Sequence, residues 1–178
     1  MTSLSIPPVT LVLGGARSGK SAHAEKLVEG QPAGWIYLAT ATAGDGEMAE
    51  RINRHRERRG DGWRTVEEPL DLTAVLQAET SANSVILVDC LTLWLSNILF
   101  AELDVEHEIK RLVECLPGLA GPVVLVSNEV GLGIVPDNAL ARRFRDDAGR
   151  LNQAVAAAAD SVIFVAAGLP LSLKQPSA

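Results

Sequence analysis

The sequence predicts an α/β domain, three layers deep, with a mostly parallel sheet in the middle. Three observations point there. Short apolar runs of strand length alternate with longer stretches of helical periodicity. The runs Val85–Val88 and Val123–Val126 are apolar at every position, as strands covered on both faces are. The first run ends in a glycine-rich turn that opens directly into a helix.

In chain order, Thr10–Leu13 reads as the first strand and Lys20–Glu29 as the helix behind the glycine turn. Trp35–Leu38 is a second apolar run. Glu47–Arg59 has helical character and stops at Gly60-Asp61-Gly62. Leu72–Glu79 is another helix, and Val85–Val88 a buried strand. Leu91–Ala101 and Val105–Leu116 read as helices, the second ended by Pro117 and Gly118. Val123–Val126 is a strand, Asn138–Ala159 a long helix, Val162–Val165 a strand, and Leu171–Leu173 a short edge strand. In such sheets ligands bind beyond the carboxyl ends of the strands. One domain over residues 1–178 is expected, with Met1–Pro8 and Gln175–Ala178 as loose tails.

Composition narrows the partners. The net charge is −6 and aromatics make up 4%. An acidic chain poor in stacking residues argues against nucleic acid. No apolar stretch reaches the ~18 residues of a membrane span, and Met1–Pro8 lacks the charge and apolar run of a signal peptide. Cys90 and Cys115 have no metal or redox spacing and read as buried reduced thiols. A cytoplasmic protein is expected.

Gly14-Gly15-Ala16-Arg17-Ser18-Gly19-Lys20-Ser21 fits G-x-x-x-x-G-K-[ST] at every required position, between a strand and a helix. The glycines let the backbone turn its N–H groups toward an anion, and the helix N-terminus adds partial positive charge. Lys20 would reach the β- and γ-phosphates of a nucleoside triphosphate, and the Ser21 hydroxyl would ligate Mg²⁺. Asp89, ending the run Val85–Val88, is the acidic partner expected to hold that metal, directly or through water; a helix cap is its plainer role. The fold expected is therefore of the P-loop NTPase type.

Glu47–Arg59 carries five arginines in thirteen residues. At about 100° per residue, Met48, Ile52, His55 and Arg59 share one side, with Arg51 and Arg58 flanking it. Two readings stand. His55 is either a nucleophile that attacks an α-phosphorus among guanidinium groups, or part of a solvated helix with i,i+4 pairs such as Glu47–Arg51 and Glu50–Arg54. His23 reads as a packing or surface residue and His107 as solvated. The segment Val126–Pro136, with Asn128-Glu129, two glycines and a proline, is either a loop that closes over substrate or a plain connection. Arg142–Gln153 is too polar for a buried helix. It would suit a subunit contact, an active-site wall or plain surface.

Taken together and in order, several segments resemble one family. They are Gly14–Ser21, Tyr37-Leu38-Ala39-Thr40-Ala41, Glu47-Met48 with Arg51-Ile52 and His55, and Trp63-Arg64-Thr65 with Glu67. Asn128–Gly131 through Ile134–Pro136, and Phe144-Arg145-Asp146 with Gly149 and Asn152-Gln153, complete the set. The chain is similar over roughly Thr10–Lys174 to the bifunctional adenosylcobinamide kinases/adenosylcobinamide-phosphate guanylyltransferases. The resemblance implies that a nucleoside triphosphate, ATP or GTP, phosphorylates adenosylcobinamide. It implies next that GTP guanylylates the enzyme and that GMP passes to adenosylcobinamide phosphate in cobalamin synthesis. It puts the GMP on His55, and the nucleotide contacts on Gly14–Ser21, Thr40, Arg56, Glu57, Arg58, Arg59, Glu67 and Asp89. It also implies a homotrimer. The stretch Ala101–Glu108 is short for the family, and Asp89 stands where some members carry Glu. A kinase that needs no nucleophilic histidine and a non-enzymatic nucleotide switch are the rival functions.

Overall fold

A computed structural model describes residues 6–41, 60 and 62–176. Among these residues one sheet holds seven strands: β1 (Val9–Gly14), β2 (Gly34–Ala39), β3 (Trp63–Glu67), β4 (Ser84–Asp89), β5 (Val123–Asn128), β6 (Ser161–Ala166) and β7 (Leu169–Lys174). Their order across the sheet is β3-β2-β4-β5-β1-β6-β7. Every neighbouring pair is parallel except β6–β7, an antiparallel hairpin at the edge.

Burial on both faces explains the unbroken apolar runs. Along β1, Val9, Leu11 and Leu13 enter one core and Val12 the other. Along β4, Ile86 and Val88 alternate with Val85 and Leu87, and β5 repeats the pattern. The first core is closed by α2 (Leu72–Glu79), α3 (Leu91–Phe100), α4 (Val105–Cys115) and α5 (Ala139–Ala158), with Trp94 at its centre. The second is covered by α1 (Lys20–Glu29) through Ala24 and Val28. Each fully buried side chain of this size stabilises the fold by about 1.5–3 kcal/mol, so two such layers make a rigid base for the loops above.

Helix ends follow local chemistry. Asp71 caps α2 by accepting from Ala74 N–H (3.2 Å), Asp104 caps α4 through His107 N–H (3.1 Å), and Asn138 caps α5 through Leu140 N–H (2.8 Å). The helix read to Leu116 ends at Cys115 and tightens into a 3₁₀ turn, Leu116–Gly118. Two expectations need correction. Within the expected tail Met1–Pro8, Ile6 is buried and the Pro8 carbonyl accepts from Val123 N–H (2.9 Å), so these residues are held to the domain. The hairpin partner of β6 spans all of Leu169–Lys174 rather than Leu171–Leu173 alone. The strand β3 carries no unbroken apolar run: it lies at the sheet's edge, only half-buried. Trp63 anchors it against Trp35, with ring centroids 5.8 Å apart.

Candidate active site

The parallel strands bring Gly14, Glu67, Asp89 and Asn128 to one edge of the sheet. From Gly14 the chain turns through Gly15–Gly19 into α1. A Cβ on Gly14 would lie 2.5 Å from both Ser18 Oγ and the Val165 carbonyl. Gly19 sits at φ +95°, as the left-handed N-cap of α1, and a Cβ there would come within 3.1 Å of Gly168 Cα. These two positions admit no side chain, and Arg17 takes a left-handed φ of 56° between them. The curl closes on the Gly15 carbonyl, which accepts from Ser18 N–H (3.3 Å) and from Lys20 Nζ (3.1 Å). Lys20, nine-tenths buried as a residue, is thus already folded over the loop.

The loop has an outer brace that no motif announces. Gly168 N–H donates to the Ser18 carbonyl (2.8 Å) from the tight β6–β7 turn, where Ala167 and Gly168 both have positive φ. Both strands flanking β1 therefore help hold the loop, since Glu129 N–H, just past β5, donates to the Gly14 carbonyl (3.0 Å).

Asp89 ends β4, two strands from β1. At about 4.8 Å per strand this is about 10 Å along the sheet, a span a metal-bridged phosphate can cross. Register puts Asp89 level with Val126 and Val126 level with Val12. Between them stands the tip of β5, fixed by a buried polar network. Thr92 Oγ1 accepts from Asn128 N–H (2.7 Å), Ser127 Oγ donates to Asn152 Oδ1 (2.7 Å), and Asn152 Nδ2 donates to the Asn128 carbonyl (3.1 Å). Glu67 ends β3, exposed and four strands from β1, which is about 19 Å away.

Thr40, implied by the resemblance as a nucleotide contact, lies just past the end of β2. It is fully buried, and its hydroxyl donates to the Cys90 carbonyl (2.7 Å) and accepts from Cys90 N–H (2.8 Å). Asn97 Nδ2 holds the Thr40 carbonyl (2.7 Å). Thr40 thus ties the end of β2 to the residue after Asp89. His55, Arg56, Glu57, Arg58 and Arg59, with the helix expected over Glu47–Arg59, lie outside the described residues.

Neither cysteine is poised as a thiolate. The Cys90 thiol is pushed up to about 11, by burial first and the neighbouring Asp89 charge second, so it stays protonated. Burial also raises the Cys115 thiol. His23 is half-buried on α1, its pKa lowered by burial and then by Lys26, and His107 is exposed on α4 as expected. A cleft of about 720 Å³ between α4 and α5, lined by Leu103, Ile109 and Arg150 among others, includes no residue of the phosphate loop.

A glycine loop wrapped under a lysine, a serine in the first turn of the next helix and an acidic strand end two strands away define the nucleotide-binding edge of a P-loop NTPase fold. Two solved structures share this architecture. The flagellar accessory protein FlaH of Methanocaldococcus jannaschii has a TM-score of 0.55 at 14% identity, covering 96% of this chain and 80% of its own. An ATPase from the type III secretion system of pathogenic bacteria has a TM-score of 0.60 at 14% identity, covering 93% and 56%. Those likenesses carry the fold alone. The chain itself belongs to the cobinamide kinase / cobinamide phosphate guanyltransferase family, which residues 10–173 match, and it is a transferase. It is 54% identical over 168 residues to the bifunctional adenosylcobalamin biosynthesis protein CobP of Pseudomonas aeruginosa, covering 92% of this chain and 96% of that one. It is 43% identical over 179 residues to the corresponding CobU of Escherichia coli, covering 92% and 98%.

Proposed function

We propose that this chain phosphorylates adenosylcobinamide and then guanylylates the product, using one triphosphate site for both steps. The observation that carries the reading is the preformed loop with Lys20 poised over it, in a chain of this family. In the first step the substrate hydroxyl oxygen attacks the γ-phosphorus, loses its proton and releases a nucleoside diphosphate. The loop N–H groups and Lys20 take up the charge that moves onto the leaving oxygens.

In the second step a ring nitrogen of His55 attacks the α-phosphorus of GTP. A P–N bond forms, the bond to the β-phosphate oxygen breaks, and pyrophosphate leaves with the electron pair. An oxygen of adenosylcobinamide phosphate then attacks the same phosphorus, breaks the P–N bond and frees the imidazole, giving adenosylcobinamide-GDP. Arg56, Arg58 and Arg59, one to four residues along in sequence, suit the triphosphate, and Glu57 and Glu67 complete the proposed nucleotide contacts.

Mg²⁺ fits the residues present. Magnesium asks for one or two protein oxygens and takes the rest from phosphates and water. Ser21 lies in the first turn of α1, and the Asp89 carboxylate has no hydrogen-bond partner among the described residues. Bound there, the ion would offset phosphate charge. No helix among the described residues is long and apolar enough to cross a membrane. Both cysteines are free and buried, which suits the cytoplasm, and a homotrimer is the proposed assembly.

Mass spectrometry after incubation with GTP and Mg²⁺ tests the reading. A GMP adduct mapping to His55, absent from His55→Ala, is expected. An unmodified chain that still hydrolyses or transfers the γ-phosphate would leave a kinase alone.

A further inference from the structure

Helix α5 is pinned to the sheet well past its start. Asn152 grips Ser127 and the Asn128 carbonyl at the carboxyl tip of β5, and α5 begins thirteen residues earlier, at Ala139. At 1.5 Å per residue, up to about 20 Å of helix precedes that grip. Because α5 packs on the face opposite α1, this stretch flanks the site on the side away from the phosphate loop.

Four arginines lie on α5, and three are accounted for. Arg142 Nη1 donates to the carbonyls of Pro136 (2.9 Å) and Asp137 (2.6 Å). Arg143 and Arg150 both pair with Asp147, at 3.6 and 2.8 Å. Arg145 has no hydrogen bond or ion pair among the described residues, and its Nη1 is shut off from water. A guanidinium N–H in that state carries an unmet desolvation penalty. Arg145 is also two turns before Asn152, so it shares the helix face that grips the tip of β5. Long side chains on a helix lean toward its start, which here means beyond the sheet's edge.

Resting on the guanylyltransferase reading above, we propose that Arg145 binds the phosphate of the acceptor, adenosylcobinamide phosphate. The triphosphate already has its cradle of backbone N–H groups and its lysine on the α1 side. An acceptor must approach from the other side, in line with the leaving group. It is neutral at the reacting oxygen in the kinase step and anionic in the guanylyl step. A guanidinium that meets the oxygens of that anion in a planar fork holds it for the second reaction only.

The test compares two acceptors in the full-length enzyme. In Arg145→Gln, the KM for adenosylcobinamide phosphate should rise about 10- to 100-fold. The KM for adenosylcobinamide in the kinase step and the yield of GMP-enzyme from GTP should stay within about 3-fold. Arg145→Lys should recover part of the loss, and Arg143→Gln should match the parent. Equal losses with both acceptors, or reduced GMP loading, would overturn the assignment. So would a lowered melting temperature with unchanged KM. Failure of the parent enzyme to form any GMP adduct is a separate result that removes the guanylyl reading itself.

Discussion

Replacing Thr40 by Val keeps its shape and removes one hydroxyl, which the structure uses twice. The Cys90 carbonyl retains the helical bond from Trp94 N–H (3.1 Å), so it loses only its second donor. Cys90 N–H loses its acceptor and is left buried. An orphaned buried N–H costs about 1–3 kcal/mol and the lost O–H···O bond about 1 kcal/mol more, so Thr40→Val should destabilise the fold by about 2–4 kcal/mol. For a chain of this length each kcal/mol lowers Tm by roughly 2–4 °C, giving a drop of roughly 5–15 °C by calorimetry. Thr40→Ser, which keeps the hydroxyl, should recover most of it. Because Thr40 N–H also donates to the Asp89 carbonyl (3.3 Å), the same variant should weaken Mg²⁺-dependent GTP binding, read by titration calorimetry, more than metal-free binding. A Thr40→Val protein melting within about 2 °C of the parent, a shift of less than 1 kcal/mol, with unchanged GTP affinity would show that the lock between β2 and β4 contributes little.

Two further outcomes follow from the same geometry. Gly19→Ala forces an L-residue to φ +95° and also crowds Gly168, whereas Gly168→Ala meets only an unfavourable φ of +78° in open space. Both should lose about 1–2 kcal/mol to the torsion, but only Gly19→Ala should lose nucleotide affinity by more than about 10-fold. Denaturant melts and GTP titrations separate the two effects. The Cys90 thiol makes a pH prediction. Its pKa is 9.0 when unperturbed and about 11 in the fold, so burial favours the neutral form. The resulting stability is whole below pH 9 and falls as pH rises from about 9 to about 11, because only the unfolded chain ionises there. Cys90→Ala should flatten that limb of a pH–Tm curve; an unchanged limb would show that the thiol is not its source.

Most of the sheet was legible because a parallel strand buried on both faces must be apolar at every position, and Val85–Val88 and Val123–Val126 are. The phosphate loop was legible because its chemistry is local: eight adjacent residues carry it. What could not be read depends on contacts between distant segments. Trp63–Glu67 has apolar residues only at Trp63 and Val66, out of strand period, and sits at an edge, so its strand character comes from pairing with β2. The family resemblance implies that Thr40 contacts nucleotide. Only the return of the chain fifty residues later, at Cys90, shows that its hydroxyl is already engaged. Gly168 braces the phosphate loop from about 150 residues further along the sequence, with no motif of its own. Arg145 stands among four arginines in one helix, and only the bonds made by the other three set it apart.

Strand β1 is made first and completed last. Its neighbours in the sheet begin at Val123 and Ser161, and the hydrogen bond from Gly168 closes the phosphate loop from outside. A growing chain on the ribosome therefore carries its GKS turn, unsupported, through more than a hundred residues of synthesis. GTP meets a fully braced loop only once Gly168 has emerged. Any stop codon upstream of the final hairpin yields a product that keeps its signature motif and lacks the buttress that gives the motif its shape.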